Sequence, residues 1–166
     1  MGDVYHEHLI KQKMTMNKIW RRILSVLFCF VPVIFAGFLG AFFLIVEVIV
    51  IYLAYFTFIR TDVEVEYSYL TGECQFDKIF SKKSRKNYGK LIVSDMEIMA
   101  LEDADELKEY ENKSYRLRDF SSMDKDAKRF VAFVKKDSEL VKIIFEPSED
   151  IVKAIQMQAP RKVIYK

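Results

Sequence analysis

The stretch from Ile23 to Ile59 is apolar apart from one charge, Glu47, and it limits what the whole chain can become. A hydrocarbon core of about 30 Å is crossed by about 20 helical residues. At a rise of about 1.5 Å per residue, the stretch is roughly twice as long as one crossing needs. One helix would overshoot, whereas two short antiparallel helices joined by a tight turn fit. Pro32, Gly37 and Gly40 put helix-weakening residues near the middle, where that turn is needed. The expected anchor covers 20–60, with one transmembrane helix over about 20–36 and a second over about 41–59.

Charge favours the same arrangement. Lys11, Lys13, Lys18, Arg21 and Arg22 precede the apolar stretch, Arg60, Lys78, Lys82, Lys83, Arg85 and Lys86 follow it, and the turn carries no charge. Cytoplasmic flanks are enriched in Lys and Arg, so a hairpin keeps both flanks, and both termini, on the cytoplasmic side. Trp20, Tyr52 and Tyr55 have rings suited to the headgroup region, although Tyr52 fits equally well between helices. A cleaved signal peptide would have an h-region of only roughly 7 to 15 residues and a small-x-small site after it; neither is present here.

Glu47 is the expensive residue of the anchor. An ionisable side chain inside a bilayer costs a few kcal/mol and marks a candidate intramembrane functional residue, here of a small transporter or channel component. The competing account is structural: about two turns from the loop, Glu47 is neutralised or snorkels outward. No intramembrane partner accompanies it, which favours the structural account.

Removing the anchor and a polar N-terminal arm over 1–19 leaves about 105 residues, enough for one small domain with its own core. The 26 basic and 24 acidic residues give a net charge of +2, which implies no general polyanion binder. Cys29 falls in the first span and Cys74 in an expected strand, so neither a disulfide nor a zinc site is expected. His6 and His8 lie two apart, the wrong spacing for ligands on one helix face, and belong to a solvated terminus. There is no phosphate loop, nucleophile elbow or internal repeat, so no catalytic residue, metal or cofactor is assigned. With five glycines and three prolines, the chain has no long flexible linker, which keeps the domain close to the membrane.

Beyond Arg60 the hydrophobic period changes to two. Val63, Val65, Tyr67 and Tyr69 alternate with Glu64, Glu66 and Ser68, Thr71-Gly72-Glu73 makes a turn, and Cys74, Phe76 and Phe80 continue on a return strand. Tyr88 to Val93, Met96 to Leu101 and Tyr115 to Phe120 read as further strands, with a short helical insertion over 103–110. Phe130 to Lys135 and Leu140 to Phe145 are apolar on both faces and should be central, joined by a turn at Lys136-Asp137-Ser138-Glu139. Glu146-Pro147-Ser148-Glu149-Asp150 opens a closing helix with acids in its first turn, which Pro160 ends. The domain therefore runs over 61–160, with a tail over 161–166.

An antiparallel return strand ends near the level at which the first strand began. The loop after it, Ser81-Lys82-Lys83-Ser84-Arg85-Lys86-Asn87, thus comes back towards the headgroups. Lys82, Lys83, Arg85 and Lys86 are candidate headgroup contacts, each worth on the order of 1 kcal/mol against anionic lipid. A merely solvated basic loop accounts for them equally well. No aromatic platform or groove-reading motif accompanies these charges, which argues against nucleic acid.

The order of about seven strands, one short helical insertion and one closing helix resembles a pleckstrin-homology-like (PH-like) fold. Val65-Glu66-Tyr67, Thr71-Gly72-Glu73, Phe76-Asp77-Lys78-Ile79, Ser94-Asp95-Met96-Glu97-Ile98, Ile144-Phe145-Glu146-Pro147 and Ala159-Pro160-Arg161-Lys162-Val163 span most of 63–163. On these stretches the chain resembles an uncharacterised family of small bacterial membrane proteins, a domain of unknown function. The resemblance implies a membrane-anchored α+β protein: a transmembrane hairpin, then a PH-like antiparallel β-barrel or sandwich with a closing C-terminal helix. It implies a multi-pass protein of the bacterial cell membrane and carries no activity with it. Many domains of this fold bind phosphoinositide headgroups at basic loops between early strands, while bacterial relatives more often act as scaffolds or oligomerisation units. Here the basic loop follows the second strand rather than the first. The expected role is a non-enzymatic binding or scaffold module that holds a protein partner, or a second copy of itself, at the membrane. Anionic-lipid sensing and a transport role for Glu47 are the alternatives.

Overall fold

The polar stretch expected to form a free arm is instead a strand. In the computed structural model, which describes residues 5–136 and 139–165, β1 (Tyr5–Lys11) pairs antiparallel with β2 (Val63–Leu70), in register from Tyr5↔Leu70 to Lys11↔Glu64. His6, His8 and Ile10 are half-buried, while Tyr5, Glu7, Leu9 and Lys11 are exposed, the two-residue period of a half-covered strand. The apolar segment is therefore an insertion between two paired neighbours. Gln12 N–H donates to the Val63 carbonyl (3.0 Å), so both ends of the insertion are fixed at one point of the sheet.

The insertion is a helical hairpin, but its legs differ from expectation. The first leg is not one helix over 20–36: α1 (Met16–Phe28) starts earlier, and two short pieces follow, α2 (Phe30–Ile34) and α3 (Ala36–Leu39). Pro32 has no N–H to give the preceding turn, which accounts for the interruption at Cys29. Gly40, at φ 52°, ends α3, and a 3-10 turn over Gly40–Phe42 leads into α4 (Phe43–Thr61). Among the described residues only Ala36–Thr61 is long and apolar enough to cross a membrane, with a mean hydropathy of 2.5. The first leg falls short because Lys18, Arg21 and Arg22 occupy its beginning. Leu24, Ser25 and Phe28 of α1 line one shallow cleft with Val50, Leu53, Ala54 and Thr57 of α4. At the open end, Arg22 Nε donates to Thr61 Oγ1 (2.7 Å) and its guanidinium lies over the Phe58 ring (5.0 Å).

Only Asp62 separates α4 from β2. β3 (Glu73–Phe80) returns after Thr71 and Gly72, both at positive φ (40° and 93°), as primed hairpin turns require. With β4 (Ser84–Ile92) these strands form an antiparallel sheet in the order β1-β2-β3-β4. The second sheet comprises β5 (Met96–Leu101), β6 (Tyr115–Asp119), β7 (Phe130–Lys136), β8 (Glu139–Phe145) and β9 (Val163–Ile164), in the order β6-β8-β7-β5-β9. β7 and β8 are interior strands, as their apolar pattern requires, while Asp137 and Ser138 of the expected turn lie outside the described residues. Two features depart from the expected meander: β6 runs parallel to β8, and the supposed tail adds β9 parallel to β5. The domain is thus an α+β arrangement of nine described strands in two sheets and not a closed barrel.

The main core lies between the sheets. Tyr67, Phe76 and Phe145 pack edge to face and Phe120 stacks on Phe76 at 4.4 Å. Helix α6 (Glu149–Gln158) closes this layer with Ile151, Val152 and Ile155, each fully buried apolar side chain worth roughly 1.5 to 3 kcal/mol. Ser148 caps it by accepting from Ile151 N–H. A smaller cluster covers the other face of the second sheet, where Leu107 and Tyr110, from the helical insertion that includes α5 (Lys108–Glu111), meet Val131 and Phe133. This second layer is why β7 is apolar on both faces.

Candidate functional site

The expected basic loop is mostly strand. Ser81–Lys83 form a tight turn, with Ser81 and Lys82 at positive φ, and β4 begins at Ser84. Ser81 N–H donates to the Asp62 carbonyl (2.9 Å), so the turn does sit at the end of α4, where strand geometry placed it. The four candidate contacts are not equivalent, however. Lys82 and Lys83 lie in the turn, whereas Arg85 and Lys86 point to opposite faces of β4 because successive strand residues alternate.

Arg85 is already occupied. On the outer face of the sheet it pairs with Glu66 and, through Nε, with Asp77 (2.7 Å). Asp77 is 4% exposed and also accepts from Asn87 Nδ2 (2.7 Å) and Gln75 Nε2 (3.2 Å). Burial pushes its carboxyl upward, but the hydrogen bonds from Arg85, Asn87 and Gln75 together prevail and hold it below the ordinary carboxylate value. Arg85 is thus a structural ion-pair residue, not a free headgroup contact.

Lys86 lies on the same face of the sheet as Lys78 of β3, opposite it in register, and stays exposed. Lys78 is the residue the sequence pattern concealed: it continues the inward phase of Cys74 and Phe76, so a lysine occupies a core-facing position. Its Nζ lies 5.1 Å from the centre of the Tyr88 ring and 5.4 Å from that of Phe120, and Lys86 Nζ lies 5.8 Å from the Tyr88 ring. Lys18 approaches from α1, donating from Nζ to Gln12 Oε1 (3.0 Å). Burial, then the charges of Lys78 and Arg22, lower the Lys18 ammonium from its ordinary value against the opposing pull of Asp62. Burial likewise lowers Lys78, with Asp119 opposing. Among the described residues, Lys18, Arg22, Lys78 and Lys86 form no ion pair, whereas nearby Lys11 and Lys13 pair with Asp62 (3.5 Å) and Asp124 (2.6 Å).

A buried polar chain fastens this junction to the core. Gln12 Nε2 donates to the Ser121 carbonyl (3.0 Å) and Lys13 N–H to the Ser122 carbonyl (2.8 Å). Ser122 donates from N–H and Oγ to Glu146 Oε1 (both 2.8 Å), and Tyr67 OH donates to the Phe120 carbonyl (2.7 Å). The first leg of the hairpin is therefore tied through side chains to the end of β8, on the opposite sheet. Burial pushes the Tyr67 hydroxyl up and holds it neutral, and it pushes the Cys74 thiol up to about 12, which leaves no thiolate nucleophile there at neutral pH.

Glu47 lies on the α4 face that also carries Val50, Ala54 and Thr57, turned towards α1. Its Oε2 is buried and makes no hydrogen bond among the described residues. His6 and His8 share the inner face of β1, where His8 lies 6.0 Å from the Tyr67 ring. Among the described residues, no group of three or more His, Cys, Asp or Glu is placed to hold a metal.

Neither a curated protein nor a solved structure matches the chain. The two-sheet domain with its closing helix, and the N-terminal strand set before the apolar insertion, are both covered by one family model over residues 2–165: the chain belongs to the bacterial PH-like domain family DUF6106.

Proposed function

We propose that this protein is a non-enzymatic binding module, anchored in the bacterial cell membrane by its helical hairpin and holding a protein partner at the cytoplasmic face. PH-like domains are in general non-catalytic, which fits that class. The observation that carries it is the insertion itself: an apolar hairpin is spliced between paired strands without a flexible linker, so the hairpin is joined to the domain at two adjacent points of one sheet. The edge strand β6, where Tyr115 and Leu117 are exposed, offers unpaired backbone to a partner. Alkaline carbonate washing of membranes tests the anchor, with retention of the full chain expected; release into the supernatant would sink it. A photo-crosslinking residue at Leu117 should give a discrete adduct in cells, and adducts equally frequent from every exposed site would count against a dedicated edge.

A second reading concerns anionic lipid and has its own observation, the unpaired cations at the junction. Lys18, Arg22, Lys78, Lys82, Lys83 and Lys86 surround the end of the hairpin without carboxylate partners among the described residues. Each is worth about 1 kcal/mol near an anionic leaflet. Full chain in nanodiscs should melt at a higher temperature as phosphatidylglycerol replaces phosphatidylcholine, and salt should erase the gain. Equal melting in both lipids removes this reading. A transport role for Glu47 requires several copies, since two legs cannot enclose a path.

A further inference from the structure

We infer that the hairpin is monotopic: it enters from the side of the PH-like domain, turns within the hydrocarbon of the distal leaflet, and exposes its apex to acyl chains instead of water. The inference rests on the membrane reading above and concerns where the chain stops. From Phe30 to Val46 no residue carries a polar side chain, and the turn itself reads Phe35-Ala36-Gly37-Phe38-Leu39-Gly40-Ala41-Phe42-Phe43. A turn that emerges into water draws on Asn, Asp, Ser and charged residues. Here Phe38 is 95% exposed and Ile34 77%, with nothing among the described residues to cover them.

The aromatic residues give the same asymmetry. Interfacial belts are built from Trp and Tyr at both membrane boundaries. Trp20, Tyr52 and Tyr55 all lie nearer the domain end of the hairpin than its apex, while the apex has only phenylalanine. One boundary is marked and the other is not.

Backbone chemistry permits the apex to be dry. Hydrocarbon tolerates a turn only where its amide groups are bonded within the protein. This turn is made of helical pieces: Phe35 N–H donates to Val31 O (3.3 Å), Phe38 and Leu39 N–H to Phe35 O (2.9 and 3.1 Å), and Gly40 N–H to Ala36 O. Phe43 N–H continues the pattern to Gly40 O. Length agrees as well. From Arg60 back to Gly40 an upright helix spans about 30 Å, the hydrocarbon thickness with nothing to spare, and the usual tilt of about 20° shortens its reach further.

The test uses full chain with Cys29→Ser, Cys74 being fully buried from the label, and a single spin label at Phe38→Cys, in phosphatidylcholine–phosphatidylglycerol vesicles. Gly37→Cys serves as a second probe, because a Cβ there would meet nothing within 4 Å. Collision with oxygen should exceed collision with a water-soluble nickel chelate at both positions, and the order should reverse for a label at Lys125→Cys in the domain. Nickel access at the apex equal to that at Lys125→Cys overturns the inference, because the turn then reaches water. Poor access of both reagents also overturns it, because protein or a second copy then covers the apex. If the chain fails to float with the vesicles, the membrane reading itself has failed, an outcome distinct from either.

Discussion

Two faces of one antiparallel sheet treat positive charge in opposite ways. On the outer face Arg85 reaches Glu66 and Asp77, and Lys90 reaches Glu73 (2.7 Å), so the cations are matched by acids on neighbouring strands. On the inner face, at the end next to the hairpin, Lys78 and Lys86 oppose each other with Lys18 alongside and no acid in ion-pair reach among the described residues. Arg85 and Lys86 are sequence neighbours with these two fates. Paired charge of the first kind fixes strand register. Unpaired charge of the second kind costs stability where it is desolvated, as at Lys18 and Lys78, and leaves the ammonium groups without an internal counterion.

The contrast breaks most visibly at Asp77. Asp77→Ala leaves Asn87 and Gln75 without their shared acceptor and Arg85 with Glu66 alone, and should cost about 2 to 3 kcal/mol, read as a lower melting temperature of the full chain. The pH dependence has a definite sign. The folded carboxyl titrates below its unfolded value, so the stabilisation is complete above about pH 4 and disappears as pH falls through the folded value. A wild-type chain no more acid-sensitive than Asp77→Ala would refute this.

Lys78→Met should act in the opposite direction. Removing a desolvated ammonium ought to stabilise the domain by about 1 kcal/mol at pH 7 in phosphatidylcholine, while reducing the gain from phosphatidylglycerol. Because the folded ammonium is lowered, the folded state releases its proton first as pH rises. The penalty is therefore full at neutral pH, and the advantage of Lys78→Met should fade in alkaline buffer. Destabilisation at pH 7 would place Lys78 with the structural charges instead.

Smaller effects sharpen the distinction between neighbours. Lys86→Gln should lower the anionic-lipid preference by about 1 kcal/mol and leave melting in neutral lipid unchanged. Arg85→Gln should do the reverse, lowering melting in both lipids equally. Lys82→Gln and Lys83→Gln, in an exposed turn, should each lower the lipid preference by about 1 kcal/mol as well. If Arg85→Gln and Lys86→Gln proved indistinguishable, the two faces would not differ in role.

The sheet hairpin, the central pair β7–β8 and the closing helix are legible because their signals are local: period two, turn chemistry, and acids in the first helical turn. β1 is not, because a strand of histidine, glutamate and lysine acquires its meaning from a partner beyond the whole apolar insertion. The same holds for β9, which is two residues long and has no pattern of its own. The site was half legible. Counting lysines and arginines located the junction, but separating Arg85 from Lys86 needed the strand phase, and Lys78 hid among apolar neighbours. Lys18 and Arg22 were assigned to the flank of a span because nothing local says that α1 brings them to β3.

The pairing of Lys11 with Glu64 also dictates an order of events during synthesis. β1 leaves the ribosome first and must wait until the entire insertion has followed before its partner exists. In free solution, closing so long a loop costs entropy that grows only slowly with length, but it delays the pairing of β1 with β2. If the hairpin lodges in a bilayer as proposed, α1 and α4 lie side by side before either flanking strand is paired, and the lipid phase contributes that closure in advance. On that reading the first sheet closes fastest on chains whose hairpin has already entered the membrane.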